Sequence, residues 1–180
     1  MSPTKNIVFI ARSLDGYIAG PNGELDWLHA TPNPDGIDMG FGALMEEVDA
    51  IVMGRGTFEV VCGFEGPWPY TKPIYVLSNT LTVLPEKAQG KASLVKGELK
   101  EVLASIHSHG HRTLYVDGGQ TIQSFLREDR IDDLRITTLP ILLGGGASLF
   151  GALPKPMQWE HLRSEVFLGQ LVQNQYRRIR

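Results

Sequence analysis

Short apolar stretches that stop at turn residues restrict the folding of this chain more than any other feature. Residues 6–13 (NIVFIARS), 49–54 (DAIVMG), 73–78 (PIYVLS), 92–96 (ASLVK) and 113–116 (TLYV) are such stretches. Apolar runs this short, bounded by Gly, Pro, Asn or Asp, read as strands covered on both faces. Between them the spacing turns helical: Phe41, Leu44, Met45 and Val48; Leu99, Val102, Leu103 and Ile106; Ile122, Phe125 and Leu126. Residues 55–61 can open a further helix. Residues 131–143 mix a helix end with a strand, and residues 160–167 and 170–178 read as a hairpin turned at Leu168-Gly169. Strands alternating with helices pair in parallel, because parallel neighbours need a crossover between them. The expected fold is therefore an α/β three-layer α/β/α sandwich. Its central sheet is mostly parallel, with an antiparallel C-terminal hairpin, in one domain spanning residues 1–180.

The bulk properties fit that expectation. A chain of 180 residues with 42% hydrophobic and 21% charged residues is neither disordered nor fibrous. The net charge of −3, with no basic block, argues against nucleic acid and membrane as partners. A single cysteine, Cys62, excludes an internal disulfide framework and fits a reducing compartment. The first apolar run, residues 7–11, is too short for a signal peptide or a membrane span. A cytoplasmic protein acting on a small molecule is the expectation.

Glycine is the outlier, at 20 residues, and it gathers where strands end. Gly54-Arg55-Gly56-Thr57 and Gly118-Gly119-Gln120-Thr121 each follow a strand and open a helix. In open α/β sheets, ligands bind at the carboxyl ends of strands and anions bind at helix N-termini. Glycine admits close backbone approach, and Arg55 adds a cationic fork. Two such cradles suit a dinucleotide, although neither is GxGxxG or a Walker loop. The same junctions would equally serve as plain helix caps and tight turns. The glycine-rich stretch 20–40, with its apolar patch Leu25, Trp27 and Leu28, reads as a long loop of the kind that forms lids.

Three aspartates invite chemistry. Asp38 precedes the first helix. If that helix starts early, Asp38 shares a face with Phe41 and Met45 and gains a raised pKa; otherwise it is an N-cap. Asp15 sits in an Asp-Gly turn, where a local Asx bond is the plain reading. Asp117 either touches substrate hydroxyls or orders its turn. His107, His109 and His111 follow a helix and read as its solvated cationic end. Arg177, Arg178 and Arg180 form a short tail read as solvated. No metal site is expected.

In order along the chain, Ser13-Leu14-Asp15-Gly16-Tyr17-Ile18-Ala19, Met53-Gly54-Arg55-Gly56-Thr57, Tyr75-Val76-Leu77-Ser78-Asn79, Val116-Asp117-Gly118-Gly119 and residues 139–146 (LPILLGGG) resemble the dihydrofolate reductase superfamily. The branch they resemble contains the reductase domain of bacterial riboflavin biosynthesis. The resemblance implies hydride transfer from NADPH to a pterin or aminopyrimidine. It assigns Gly54, Arg55 and Thr57 to the cofactor phosphates, and Ser78 and Asn79 to the 2′-phosphate. The pyrophosphate falls to Gly118, Gly119, Gln120 and Thr121. Ala11 and Ile18 join the cofactor set, the latter within the nicotinamide-lining segment. Leu143, Gly144 and Gly145 would close over the pocket, and Asp117 would hold substrate. Asp38, as a heterocycle-binding acid, and Asp15 are the candidate catalytic residues. A homodimer paired through sheet edges and the C-terminal region is implied as well. A non-catalytic nucleotide-binding module and a flavin-binding or drug-modifying reductase are the rival readings.

Overall fold

The computed structural model of the protein describes residues 3–180. Its strands are β1 (Lys5–Ser13), β2 (Tyr17–Ala19), β3 (Ala50–Gly54), β4 (Ile74–Leu77), β5 (Ala92–Val95), β6 (Thr113–Asp117), β7 (Asp133–Leu139), β8 (Ala147–Ser148), β9 (Trp159–Phe167) and β10 (Leu171–Arg178). The helices are α1 (Phe41–Glu47), α2 (Arg55–Gly63), α3 (Leu99–Ser108) and α4 (Gly119–Arg127). Eight strands form one sheet in the order β5-β4-β3-β6-β1-β7-β10-β9. Pairing is parallel from β5 through β7 and antiparallel at β7-β10-β9.

Alternation along the central strands divides the core in two. Val8, Ala50, Val52, Leu114 and Val116 face Val102, Leu103 and Ile106 of α3 and Ile122, Phe125 and Leu126 of α4. The intervening Ile7, Ile51, Met53 and Tyr115 face Leu44 and Met45 of α1 and Phe58 and Val61 of α2. Both faces are therefore apolar, and the strand sequences look continuous rather than alternating. This is the expected three-layer α/β/α arrangement.

Three local features depart from the sequence reading. Residues 17–19 and 147–148 pair as a small two-stranded sheet, β2-β8, that the sequence reading did not include. Its close approach explains Gly146, at φ 129°, where a Cβ would overlap the Ala19 carbonyl oxygen. The stretch 20–40 contains a 3-10 turn at Asp26–His29, and its Trp27 packs with Leu139 and Leu171. Of the C-terminal arginines only Arg178 is withdrawn from solvent; Arg177 and Arg180 are exposed, as expected, but ion-paired. Arg178 pairs with Asp129 at 2.7 Å, its side chain 6% exposed, and Arg180 pairs with Asp132 at 2.7 Å. Arg177 pairs across the hairpin with Glu160.

Candidate active site

The chain climbs from β3 outward to β4 and β5, then returns to insert β6 between β3 and β1. The carboxyl ends of β3 and β6 thus lie side by side, with Met53 in register with Asp117. Each strand feeds straight into a helix, α2 or α4. The cap positions, Gly54 and Gly118, make no side-chain capping bond. The first-turn N–H groups of both helices are left to whatever enters from outside.

The two junctions are also keyed to each other. A Cβ on Gly54 would lie 2.8 Å from Thr121 Oγ1, and one on Gly118 would overlap Thr57 Oγ1. Each helix therefore places its threonine against the other's glycine. Gly118 holds φ at 93°, a conformation only glycine adopts without strain.

A cleft of about 990 Å³ opens over these junctions. Ala11, Ile18, Gly54, Arg55 and Thr57 line it, as do Ser78, Asn79, Gly118, Gly119, Gln120 and Thr121. All eleven residues that the sequence reading gave to a cofactor meet in this one space. Sequence reasoning missed Leu25 and Leu28 of the 20–40 stretch, Tyr70, Thr80 and Lys96, which line it as well. Only the apolar patch around Trp27 hinted at the first two.

At one end of the cleft the Arg55 guanidinium bonds Glu59 Oε1 at 2.7 Å and Thr80 Oγ1 at 2.9 Å. Ser78 Oγ lies 3.5 Å from the same threonine hydroxyl and accepts the Leu81 N–H at 2.9 Å. A cation and two hydroxyls thus form a polar corner beside α2. Asp117 lines the cleft at the end of β6. Its neighbours are the phenols of Tyr70 and Tyr115, which pack around Phe41 at centroid distances of 6.3 and 6.5 Å. Burial pushes the Asp117 carboxyl up to about 6, against the opposing pull of the Gly118 N–H. Burial raises the Tyr70 phenol, and the Asp117 charge adds to it.

The other candidate residues stand apart. Asp38 is exposed and does not line the cleft. The helix it was to share begins only at Phe41, with Gly40 as its cap. Asp38 instead accepts the Gly40 and Gly42 N–H groups, both at 2.9 Å, which pull its pKa down rather than up. The capping alternative is the one its contacts fit. Asp15 does more than a local turn bond: it accepts from Ser13 Oγ at 2.6 Å, Leu143 N at 3.1 Å and Gly144 N at 2.8 Å. These bonds hold its pKa low. They pin the 143–146 segment to the β1–β2 turn. Leu143, Gly144 and Gly145 themselves do not line the cleft, while Ala147 just after them does. Leu143 packs toward the Trp27 cluster instead.

His109 Nδ1 contacts the Ser105 carbonyl at 2.8 Å at the end of α3, and His111 lies edge-on to Tyr75. Among the described residues, no group of three or more His, Cys, Asp or Glu side chains could hold a metal ion. No helix among them is long and apolar enough to cross a membrane.

Residues 4–172 match the family described as the RibD C-terminal domain. The chain belongs to the RibD C-terminal domain family. It is 53% identical, with a TM-score of 0.95 over 98% of this chain and 99% of the other, to a crystal structure from Shewanella sp. PV-4 provisionally named for riboflavin biosynthesis. It is 30% identical over 96% of its length, and 97% of the other's, to the uncharacterised protein YwjB of Bacillus subtilis (strain 168). The fold is also that of a dihydrofolate reductase from Enterococcus faecalis complexed with NADP(H), at TM-score 0.65 and 20% identity, covering 97% and 96% of the two chains. The fold class is thus dihydrofolate reductase-like.

Proposed function

We propose that this RibD C-terminal domain protein is an NADPH-dependent reductase of a small nitrogen heterocycle. The carrying observation is the pair of uncapped helix N-termini set side by side at the ends of β3 and β6. Two bare N-termini with glycine caps fit a pyrophosphate, because backbone N–H groups and the helix dipole both favour anions. The N–H groups at Gly118-Gly119-Gln120-Thr121 would hold it, with Gly54 and Thr57 opposite. Arg55, Ser78 and Asn79, joined by Thr80, would hold the 2′-phosphate. Ala11 and Ile18 would give the nicotinamide an apolar wall. NADPH supplies a hydride when bound.

The chain's own task is then to orient two flat rings, exclude water and hold a proton. Asp117 suits the last role. It is the cleft carboxyl whose pKa lies near neutrality, where it can take or release a proton. Asp38 and Asp15, expected to be catalytic, spend their oxygens on backbone N–H groups and are better understood as positioning residues. The placement of the acids also favours one substrate class. A pterin reductase would carry its acid on the first helix, and the Asp38 carboxylate is not in the cleft. An acid at Asp117 is what the riboflavin-pathway reductases direct at the substrate's sugar-like chain. An aminopyrimidine ribosyl phosphate is therefore the proposed substrate.

The test is NADPH oxidation followed by absorbance, against aminouracil ribosyl phosphates and dihydropterins, beside a melting curve with each nucleotide. Turnover of an aminouracil with a rise in Tm by NADPH is the expected result. A Tm rise with no turnover on any heterocycle would make the protein a nucleotide-binding module. No rise at millimolar NADPH would remove the cofactor assignment.

A further inference from the structure

At the opposite end of the sheet, where β1 and β7 begin, a second cavity of about 480 Å³ lies between α3 and the C-terminal tail. It shares no lining residue with the cleft over β3 and β6. Two of its lining side chains carry a buried polar atom without a partner: Asn6 Oδ1 and His107 Nε2. Asn6 is 5% exposed, and its other polar groups are all used. Its N–H bonds Asp132, its carbonyl accepts the Asp132 N–H, and its Nδ2 donates to the Arg130 carbonyl at 2.7 Å. A polar atom left unpaired out of water costs about 1–3 kcal/mol, so one such atom wants an explanation. Two at one cavity point to a shared occupant.

The charges around it say which kind. Asp129 and Asp132 line the cavity, but Arg178 and Arg180 bind Asp129, and Arg180 also binds Asp132. Lys100, exposed on the outer face of α3, and Arg130 also line it, and among the described residues their side chains have no ion pair or hydrogen-bond partner. Burial, with Arg112 and Arg130 nearby, lowers the pKa of the His107 ring and so disfavours its charged form. The cavity therefore offers two uncommitted cations, an acceptor that needs a donor, and an imidazole nitrogen.

We propose that this cavity binds a small phosphate-bearing solute, inorganic phosphate or a phosphomonoester. Its P–O⁻ oxygens would face Lys100 and Arg130. Its P–OH, or a neighbouring hydroxyl, would donate to Asn6 Oδ1. A phosphate meets both demands, being anionic and a hydrogen-bond donor at once, whereas sulfate at neutral pH carries no proton to give.

The experiment is an NMR titration of the full chain, following the His107 ring protons. A His107→Gln spectrum assigns them among the five histidines. Inorganic phosphate is expected to shift the His107 resonance saturably in the low-millimolar range. Sulfate at matched ionic strength is expected to bind at least tenfold more weakly. Glycerol 3-phosphate in a parallel titration decides whether the monoester or the free ion binds more tightly, and saturation by either supports the site. Lys100→Ala, a change on an exposed helix surface, should raise the phosphate Kd about tenfold at unchanged Tm. An unmoved His107 resonance, equal binding of sulfate, or an indifferent Lys100→Ala variant would each overturn the proposal. None of these readouts involves NADPH, so the outcome is separate from that of the reductase reading.

Discussion

Asp38 and Asp117 each stand just before a helix, and their surroundings drive them in opposite directions. Asp38, in water, receives two backbone N–H bonds and stays ionised. Asp117, among aromatic rings at the cleft floor, loses more to desolvation than the Gly118 N–H returns. A carboxyl raised from 3.8 to about 6 binds its proton more tightly folded than unfolded. Between those pH values the native state holds more protons, so this group's contribution to stability falls as pH rises, by roughly 2–3 kcal/mol in all. Asp117→Asn removes that dependence. In urea unfolding at pH 4, 5.5 and 7, the variant's stability relative to wild type should climb across the window and level off above it. A flat difference would mean that burial does not penalise the charge. Arg55 is the second residue whose role can be measured. Arg55→Ala should weaken NADPH about 10–100-fold, the scale of a charge-assisted contact, and NADH less. The site is half-exposed, so the loss should shrink as salt rises. Equal losses for both nucleotides would move Arg55 to the shared pyrophosphate.

At the scale of elements, the reciprocal fit of glycine and threonine sets how closely α2 and α4 can begin. Gly118→Ala meets both a φ of 93° and the Thr57 hydroxyl. It should cost about 1–3 kcal/mol in denaturant unfolding and weaken NADPH. Adding Thr57→Ala removes the clashing oxygen but not the φ strain, so the double variant should recover part of the loss, giving less than additive destabilisation. Full additivity would mean that the two junctions are not in contact. These junctions were legible in the sequence because everything that defines them is local: an apolar run, a glycine and a helical spacing. Five of the six parallel strands were legible for the same reason; the sixth, β7, lay in residues 131–143, read as part helix end, whereas α4 stops at Arg127 and Asp133–Leu139 is all strand. What stayed hidden depends on distant partners. Strands β2 and β8 are three and two residues long and exist because Asp15 captures the N–H groups of Leu143 and Gly144. Tyr70 and Thr80 lie in loops with no periodicity, and only the fold brings them to the cleft. The start of α1 failed at a single turn: Gly40, at φ 94°, ends the extended approach and leaves Asp38 outside the helix.

For the molecule as a whole, the sheet has one long uncovered edge. Strand β9 pairs with β10 on one side only, and seven of its nine residues are exposed, including Leu162 at 42% and Val166 at 59%. Open strand edges invite another strand, and soluble proteins usually blunt them. We propose that this one pairs with the same strand of a second copy. If two copies of β9 met antiparallel about Ser164, Leu162 would face Val166 and Arg163 would face Glu165, twice each by symmetry. The homodimer implied by the family resemblance would form here, joining two eight-stranded sheets into one. Sedimentation at micromolar concentration should then give twice 19.9 kDa. Glu165→Arg would set like charges opposite each other and should yield a folded monomer, its Tm lowered only by the lost association and no longer dependent on protein concentration. Adding R163E to the same chain restores the opposite signs and should restore the dimer. A wild-type monomer would end this proposal. A dimer indifferent to the charge reversal would place the contact on another surface, since only pairing at β9 makes Arg163 and Glu165 answer to each other.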